Sequence, residues 1–137
     1  MVRIFVYGSL REGHYNYDAY LKGKSQFISY GYVKGDLYTI EGVTYPALIE
    51  GEGTVIGEIY EVSVEVAKAI DELESYVEGD PSNEYNRILC DIMDEQGKVI
   101  DVLPVYMFNM QREGKQGVLE NRIESGDYTK YRNEIAG

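Results

Sequence analysis

A single long amphipathic segment stands among short strand-like runs broken by glycine, and that contrast limits the fold more than any other feature of the chain. It starts at Ser63, a residue suited to an N-cap, and runs to about Val77. Val66, Ala69, Ile70, Leu73 and Val77 recur at helical spacing and predict one buried stripe. Before it, Gln26 to Val33, Asp36 to Thr39, Ala47 to Glu50 and Val55 to Val62 read as strands, punctuated by Gly31, Gly35, Gly42, Gly51 and Gly53. After it, Asp94 to Lys98 predicts a hairpin between Arg87–Met93 and Val99–Phe108. In the first arm Ile88, Cys90 and Ile92 alternate with Leu89, Asp91 and Met93, so Cys90 is expected to face the core beside Ile88 and Ile92. A short helix over Asn16 to Leu21, stopped by Gly23, would put Tyr17, Tyr20 and Leu21 on one face. One strong helix among many short strands predicts an α+β fold with a strongly curved sheet or small barrel. No linker or repeat divides the 137 residues, so a single domain over 1–137 is expected.

The amino-terminal run Arg3-Ile4-Phe5-Val6-Tyr7-Gly8-Ser9-Leu10-Arg11-Glu12-Gly13 carries the first chemical signal. An apolar strand breaks at Gly8, which has no side chain to shield its backbone. Such a break can expose successive N–H groups to a carboxylate or oxyanion. Gly-Ser after a strand is most often a plain turn, and the run by itself leaves both readings open.

Charge narrows the partners. Acidic residues number 24 against 13 basic ones, for a net charge of −11. Such a surface repels nucleic-acid phosphates and anionic lipid, so neither is an expected partner. No apolar stretch approaches the ~20 residues of a membrane span. The strand-like start is too short for a signal-peptide core, and the lone Cys90 forms no internal disulfide, so a cytoplasmic location is expected. The residues carry no signature of oligomeric state.

Several motifs fail on spacing. His14 is the only histidine; it follows Ser9 closely in a loop with no orienting acid, which argues against Ser9 as an activated nucleophile. Cys90 paired with His14 has no support beyond composition, and a Cys90-dependent hydrolase ranks last. One His and one Cys leave no metal-ligand spacing, so no metal or cofactor is expected. Gly51-Glu52-Gly53 with Gly57 has the wrong interval for a dinucleotide fingerprint and precedes a strand.

Among the acids of the long helix, Glu74 is out of place. Taking the stripe centre near Val66 and about 100° per residue, Glu65 and Glu72 fall roughly 100–120° away and Asp71 roughly 140°, whereas Glu74 lies only about 80° from the centre. Burial beside Ile70, Leu73 and Tyr76 would raise its pKa toward the range useful for proton transfer. Two other readings stay open: a solvated border glutamate, or an ion pair with Arg87 that ties the helix to the next strand.

These residues fall in a recognisable order. Phe5-Val6-Tyr7-Gly8-Ser9-Leu10-Arg11 with Gly13 and Asn16 is followed by Gly35-Asp36-Leu37-Tyr38 and Tyr45-Pro46-Ala47-Leu48. Then come Gly57-Glu58-Ile59-Tyr60-Glu61-Val62, Ile70-Asp71-Glu72-Leu73-Glu74-Ser75-Tyr76, Tyr85-Asn86-Arg87 and Val105-Tyr106. The set resembles the γ-glutamylcyclotransferase-like family, including its short AIG2-like and YtfP-like members. Ser75 departs from the family's usual glycine after the glutamate.

The resemblance implies a small mixed β-barrel with flanking helices and a cofactor-independent cyclising enzyme that releases 5-oxoproline. Its substrate would be a small γ-glutamyl amine or γ-glutamyl amino acid, with the leaving amine left open. It implies Glu74 as general acid/base, the backbone of Gly8, Ser9 and Leu10 as the substrate's carboxylate grip, and Tyr7 fixing that loop. Tyr38, Tyr85 and Tyr106 are candidates for pocket wall with plain packing as the other reading, and Arg87 is read as structural support; the sequence leaves the segment from Arg112 to Gly137 open, as a cover for the pocket or a cap on the barrel. The alternative is a non-catalytic binding domain that keeps the pocket.

Overall fold

The computed structural model describes residues 1–74, 76–110 and 118–136. Ser75 and the start of the carboxy-terminal segment lie outside them. Six strands and three helices follow in the order β1 (Val2–Val6), α1 (Tyr15–Tyr20), β2 (Ser25–Ile40), β3 (Pro46–Val62), α2 (Val64–Leu73), β4 (Tyr85–Met93), β5 (Val99–Phe108), β6 (Leu119–Arg122) and α3 (Tyr128–Ala136). The strands lie in the order β1-β3-β2-β4-β5, with β6 on β2, and every pairing is antiparallel. The α+β class is as expected. The barrel is not closed, and its strands are not mixed in direction: among the described residues no ladder joins β1 to β5, and side chains bridge them instead. Arg3 donates to Asp101 at 3.3 Å, and the Tyr7 hydroxyl donates to the Tyr106 carbonyl.

Gly31, Gly35, Gly51 and Gly53, among the glycines expected to punctuate four strands, lie inside two long ones. β2 stays continuous through register shifts at Phe27/Ser29 and Lys34/Asp36. At the second shift a Cβ on Gly35 would stand 2.8 Å from the Ile49 carbonyl oxygen, so glycine lets the strand bend there without ending it. Gly42, at φ 78°, makes the actual turn between β2 and β3.

Both faces of β1 and β3 are covered, by different layers. Phe5 and Ile59 face the main core with Val33, Leu48, Ile92 and Val105. Their neighbours Val6 and Tyr60 face a second cluster with Leu21 of the α1 end and Ile70 of α2. Ser63 caps α2, its hydroxyl accepting from the Val66 N–H at 3.2 Å. The helix is shorter than its sequence pattern suggests: it ends at Leu73, and Val77, at 59% exposure, takes no part in the stripe. The hairpin forms as expected. Cys90 packs on the main core with the fully buried Ile92, but Ile88 is 46% exposed although its cross-strand partner Val105 is buried. Among the described residues no helix is long and apolar enough to cross a membrane.

One buried ion pair fixes the chain after β1. Arg11 and Glu58 are each 4% exposed, and Arg11 Nε donates to Glu58 Oε2 at 2.7 Å. Glu58 Oε1 accepts from the Glu12 N–H at 2.9 Å and from the Tyr60 hydroxyl at 2.6 Å. Arg11 Nη1 also donates to Asp127 Oδ1 at 2.9 Å, drawing in the carboxy-terminal segment. Removing one partner strands a buried charge. Glu58→Leu is therefore expected to cost about 3–5 kcal/mol by urea unfolding, and Arg11→Met/Glu58→Leu less than the sum of its single changes.

Candidate active site

β1 ends at Val6, and the chain then folds back on itself. The Arg11 N–H donates to the Gly8 carbonyl at 3.0 Å, and Asn16 closes the loop twice on Ser9, N–H to carbonyl at 3.2 Å and Nδ2 to Oγ at 2.8 Å. Among the described residues, the N–H groups of Gly8, Ser9 and Leu10 have no protein acceptor. All three residues line a cavity of about 290 Å³. Gly8 belongs there for steric reasons: a Cβ would stand 2.9 Å from Pro46 Cδ, in the same wall.

Glu74 lines this cavity too. As the C-cap of α2, its N–H still donates to the Ile70 carbonyl at 2.9 Å, which holds it at the end of the buried stripe. Burial first, then the negative charges of Glu84 and Asp71, raise its pKa from 4.5 to about 7. The sequence left a Glu74–Arg87 pair open; Arg87 instead donates to Asp71 Oδ2 at 2.7 Å and lies over the Tyr76 ring at 5.0 Å. Arg87 thus ties β4 to α2 through Asp71, one turn earlier on the helix than Glu74.

Tyr7, Tyr85 and Tyr106 line the cavity. The Tyr106 hydroxyl donates to Asp71 Oδ1 while its carbonyl accepts from Tyr7, so one residue ties α2 to the end of β1. Tyr85 donates to the Pro46 carbonyl at 2.6 Å. Burial raises the pKa of each phenol, and the nearby carboxylates add to it, so all three remain neutral donors.

Tyr38 is not part of this constellation. It pairs with Ala47 and Arg122 inside the sheet, away from the cavity lining. His14 Nε2 lies 2.9 Å from Thr129 Oγ1, and Ser9 Oγ accepts from Asn16, so the two do not form a dyad. Cys90 is also absent from the lining. Among the described residues no cluster of three His, Cys, Asp or Glu side chains is placed to hold a metal ion. The described carboxy-terminal residues cap the main core through Ile123 and Tyr128, and none of them lines the cavity.

Among the lining residues that escaped sequence reasoning as site residues are Tyr45 and Glu84. The Tyr45 hydroxyl donates to Glu84 Oε1 at 2.9 Å, and both residues line the cavity. Glu84 directly precedes β4, outside any periodic pattern. Tyr45 stood in a quoted motif, but nothing local aims its ring.

The raised pKa of Glu74 carries a stability consequence. Between its unfolded value of 4.5 and about 7, the folded state binds more protons than the unfolded one, so stability is lost as pH rises through that window. Glutamine does not titrate. Glu74→Gln is expected to be more stable than the wild type at about pH 8, by up to about 3 kcal/mol, with the gap closing near about pH 4. Denaturant unfolding across this range measures it.

A family model described as gamma-glutamyl cyclotransferase, AIG2-like, matches residues 4–130. A Niallia circulans protein named gamma-L-glutamyl-butirosin B gamma-glutamyl cyclotransferase is 36% identical over 133 residues, covering 96% of this chain and 78% of its own length. A Methanocaldococcus jannaschii protein provisionally named a gamma-glutamylcyclotransferase is 36% identical over 134 residues, covering 96% of this chain and 99% of its own. The crystal structure of an uncharacterized Pyrococcus horikoshii protein superposes with a TM-score of 0.69 at 28% identity, covering 99% of this chain and 97% of that one.

Proposed function

This chain belongs to the gamma-glutamyl cyclotransferase, AIG2-like family, and from that premise we propose that it releases 5-oxoproline from a small γ-glutamyl amine or γ-glutamyl amino acid, with Glu74 as general acid/base. The observation that carries this reading is that Glu74, with a pKa near about 7, shares one cavity with the unpartnered N–H groups of Gly8 to Leu10.

In the proposed reaction the turn's N–H groups hold the substrate's α-carboxylate. The γ-glutamyl chain folds so that its own α-nitrogen faces its γ-carbonyl. Glu74 as carboxylate takes a proton from the α-ammonium, and the freed amine attacks the γ-carbon. The amide C–N bond then breaks as protonated Glu74 returns that proton to the leaving nitrogen. The ring nitrogen sheds its second proton on becoming an amide, and the departing amine takes it up, so both protons end on the leaving ammonium. Attack within one molecule gives high effective molarity once the chain is held folded, so no enzyme nucleophile is required. A group with pKa near neutrality populates both forms it needs.

Incubation with a panel of γ-glutamyl amines and amino acids, assayed for 5-oxoproline, tests the reading. Glu74→Gln is expected to lower kcat by about 10²–10⁴ with little change in KM. A variant that turned over normally would remove Glu74 from the mechanism. Saturable binding of every compound with no 5-oxoproline would instead favour the non-catalytic binder. Gly8→Ala, which drives a methyl group against Pro46, is expected to raise KM more than it lowers kcat, because it disturbs the carboxylate grip and not the acid.

A further inference from the structure

A second cavity, of about 210 Å³, adjoins the first, and Tyr45 and Pro46 line both. Its other walls come from the turn after β2, from β6 and from α3, with Thr44, Tyr128, Tyr131 and Arg132 in the lining. Tyr15 lines the first cavity and stands near the phenols of the second. Burial is the main cause of the raised pKa values of Tyr45 and Tyr128, and the Tyr15 phenol is close enough to add to each. A ligand in the first cavity therefore has the second beside it.

Arg132 sets the chemistry of this second space. With 24 acidic residues against 13 basic ones, an arginine of this chain readily meets a carboxylate. Arg3 has Asp101, Arg11 has Glu58 and Asp127, Arg87 has Asp71, and Arg122 has Asp36. Arg132 is partly buried, yet it forms no ion pair with any described residue. Glu120 lines the same cavity but is exposed, so water screens its charge. A guanidinium withdrawn from water without a protein partner favours an anion that takes two parallel hydrogen bonds, as a carboxylate does.

We propose that the second cavity seats a carboxylate at the far end of the leaving group, held by Arg132, and that Arg132 selects for it. This rests on the cyclotransferase reading and narrows it, favouring γ-glutamyl peptides and other extended leaving amines that end in a carboxylate over γ-glutamyl derivatives of simple alkylamines. Distance from the scissile bond matters. A carboxylate next to that bond would stand beside Glu74 and, as a like charge, push its pKa further up. One set farther along the leaving group avoids Glu74 and meets Arg132.

The test compares γ-glutamylglycine, γ-glutamyldiglycine and γ-glutamyltriglycine, each as the free acid and as the carboxy-terminal amide. For at least one of the two longer peptides the wild type is expected to favour the acid by about tenfold in kcat/KM. That preference should be absent from γ-glutamylglycine and should shrink as salt is raised. In Arg132→Gln the ratio of acid to amide should fall toward one. Arg132→Lys, which keeps the charge but not the paired donors, should retain part of it. Each ratio is taken within one protein, so a loss of folded enzyme cancels. No preference for either longer acid in the wild type, or a preference that Arg132→Gln leaves intact, would overturn the proposal.

If no peptide yields 5-oxoproline, the cyclotransferase reading fails by itself, and calorimetry with the same pairs still decides this one. Tighter binding of a longer acid than of its amide, lost in Arg132→Gln, upholds the carboxylate seat. Equal binding, or none, removes it.

Discussion

The buried contact between Arg11 and Glu58 is the interaction on which the rest of this structure depends. It joins three parts of the chain: the loop after β1, the middle of β3, and, through Asp127, the segment that leads into α3. A buried ion pair is a poor source of net stability, because desolvating two charges offsets their attraction. Its value here is geometric. With Glu58 satisfied by Arg11, the Glu12 N–H and Tyr60, the chain is anchored just after β1, and the turn from Gly8 to Leu10 is held in the lining of the cavity. Replacing both partners by apolar groups would keep much of the stability while releasing that constraint.

A second network positions the acid. Asp71 receives Tyr106 on one oxygen and Arg87 on the other, and Tyr106 is in turn held by Tyr7. The end of α2 is thereby tied to β4, β5 and the base of the turn before any ligand arrives. In the proposed chemistry this is preorganisation: the order is set during folding and not at the moment of reaction. It has a counterpart in stability. A glutamate held at a pKa near about 7 weighs against the fold at and above neutral pH, which is a common pattern for a group retained for its protonation state.

Local physics made part of this architecture legible in the sequence. The Ser63 cap, the Asp94–Lys98 hairpin, the strand-to-turn break at Gly8 and the marginal position of Glu74 all follow from spacing and residue type, and all appear in the structure. The differences arise where tertiary context decides. Glycines inside β2 and β3 became bulges and close contacts because flanking strands carry the ladder across them. Ile88 alternates correctly but stays exposed opposite the buried Val105. Whether the sheet closes depends on how far its edge strands curl, which no short pattern encodes. The partnership of Glu58 has one trace in the sequence: an acid on the same strand face as the buried Tyr60 and Val62 implies a buried cation somewhere else in the chain. Tyr45 and Glu84 left none, since they meet only when two loops are folded together.

The electrostatics explain why the proposed carboxylate grip is built from backbone and not from arginine. An opposite charge within about 4–6 Å lowers a carboxyl pKa by roughly 1–3. A guanidinium placed to hold the substrate would therefore return Glu74 toward its ordinary value and leave it a weak base with almost no acid form at neutral pH. Neutral N–H donors hold an anion without that effect. The same constraint bears on Arg11 and Arg87. Arg11 is matched to Glu58 and Asp127, and Arg87 to Asp71, so each cation is neutralised before its field reaches Glu74. In the proposed reaction the glycine turn, the paired arginines and the raised pKa serve one requirement: to accept a carboxylate while keeping the pocket's own carboxyl half protonated.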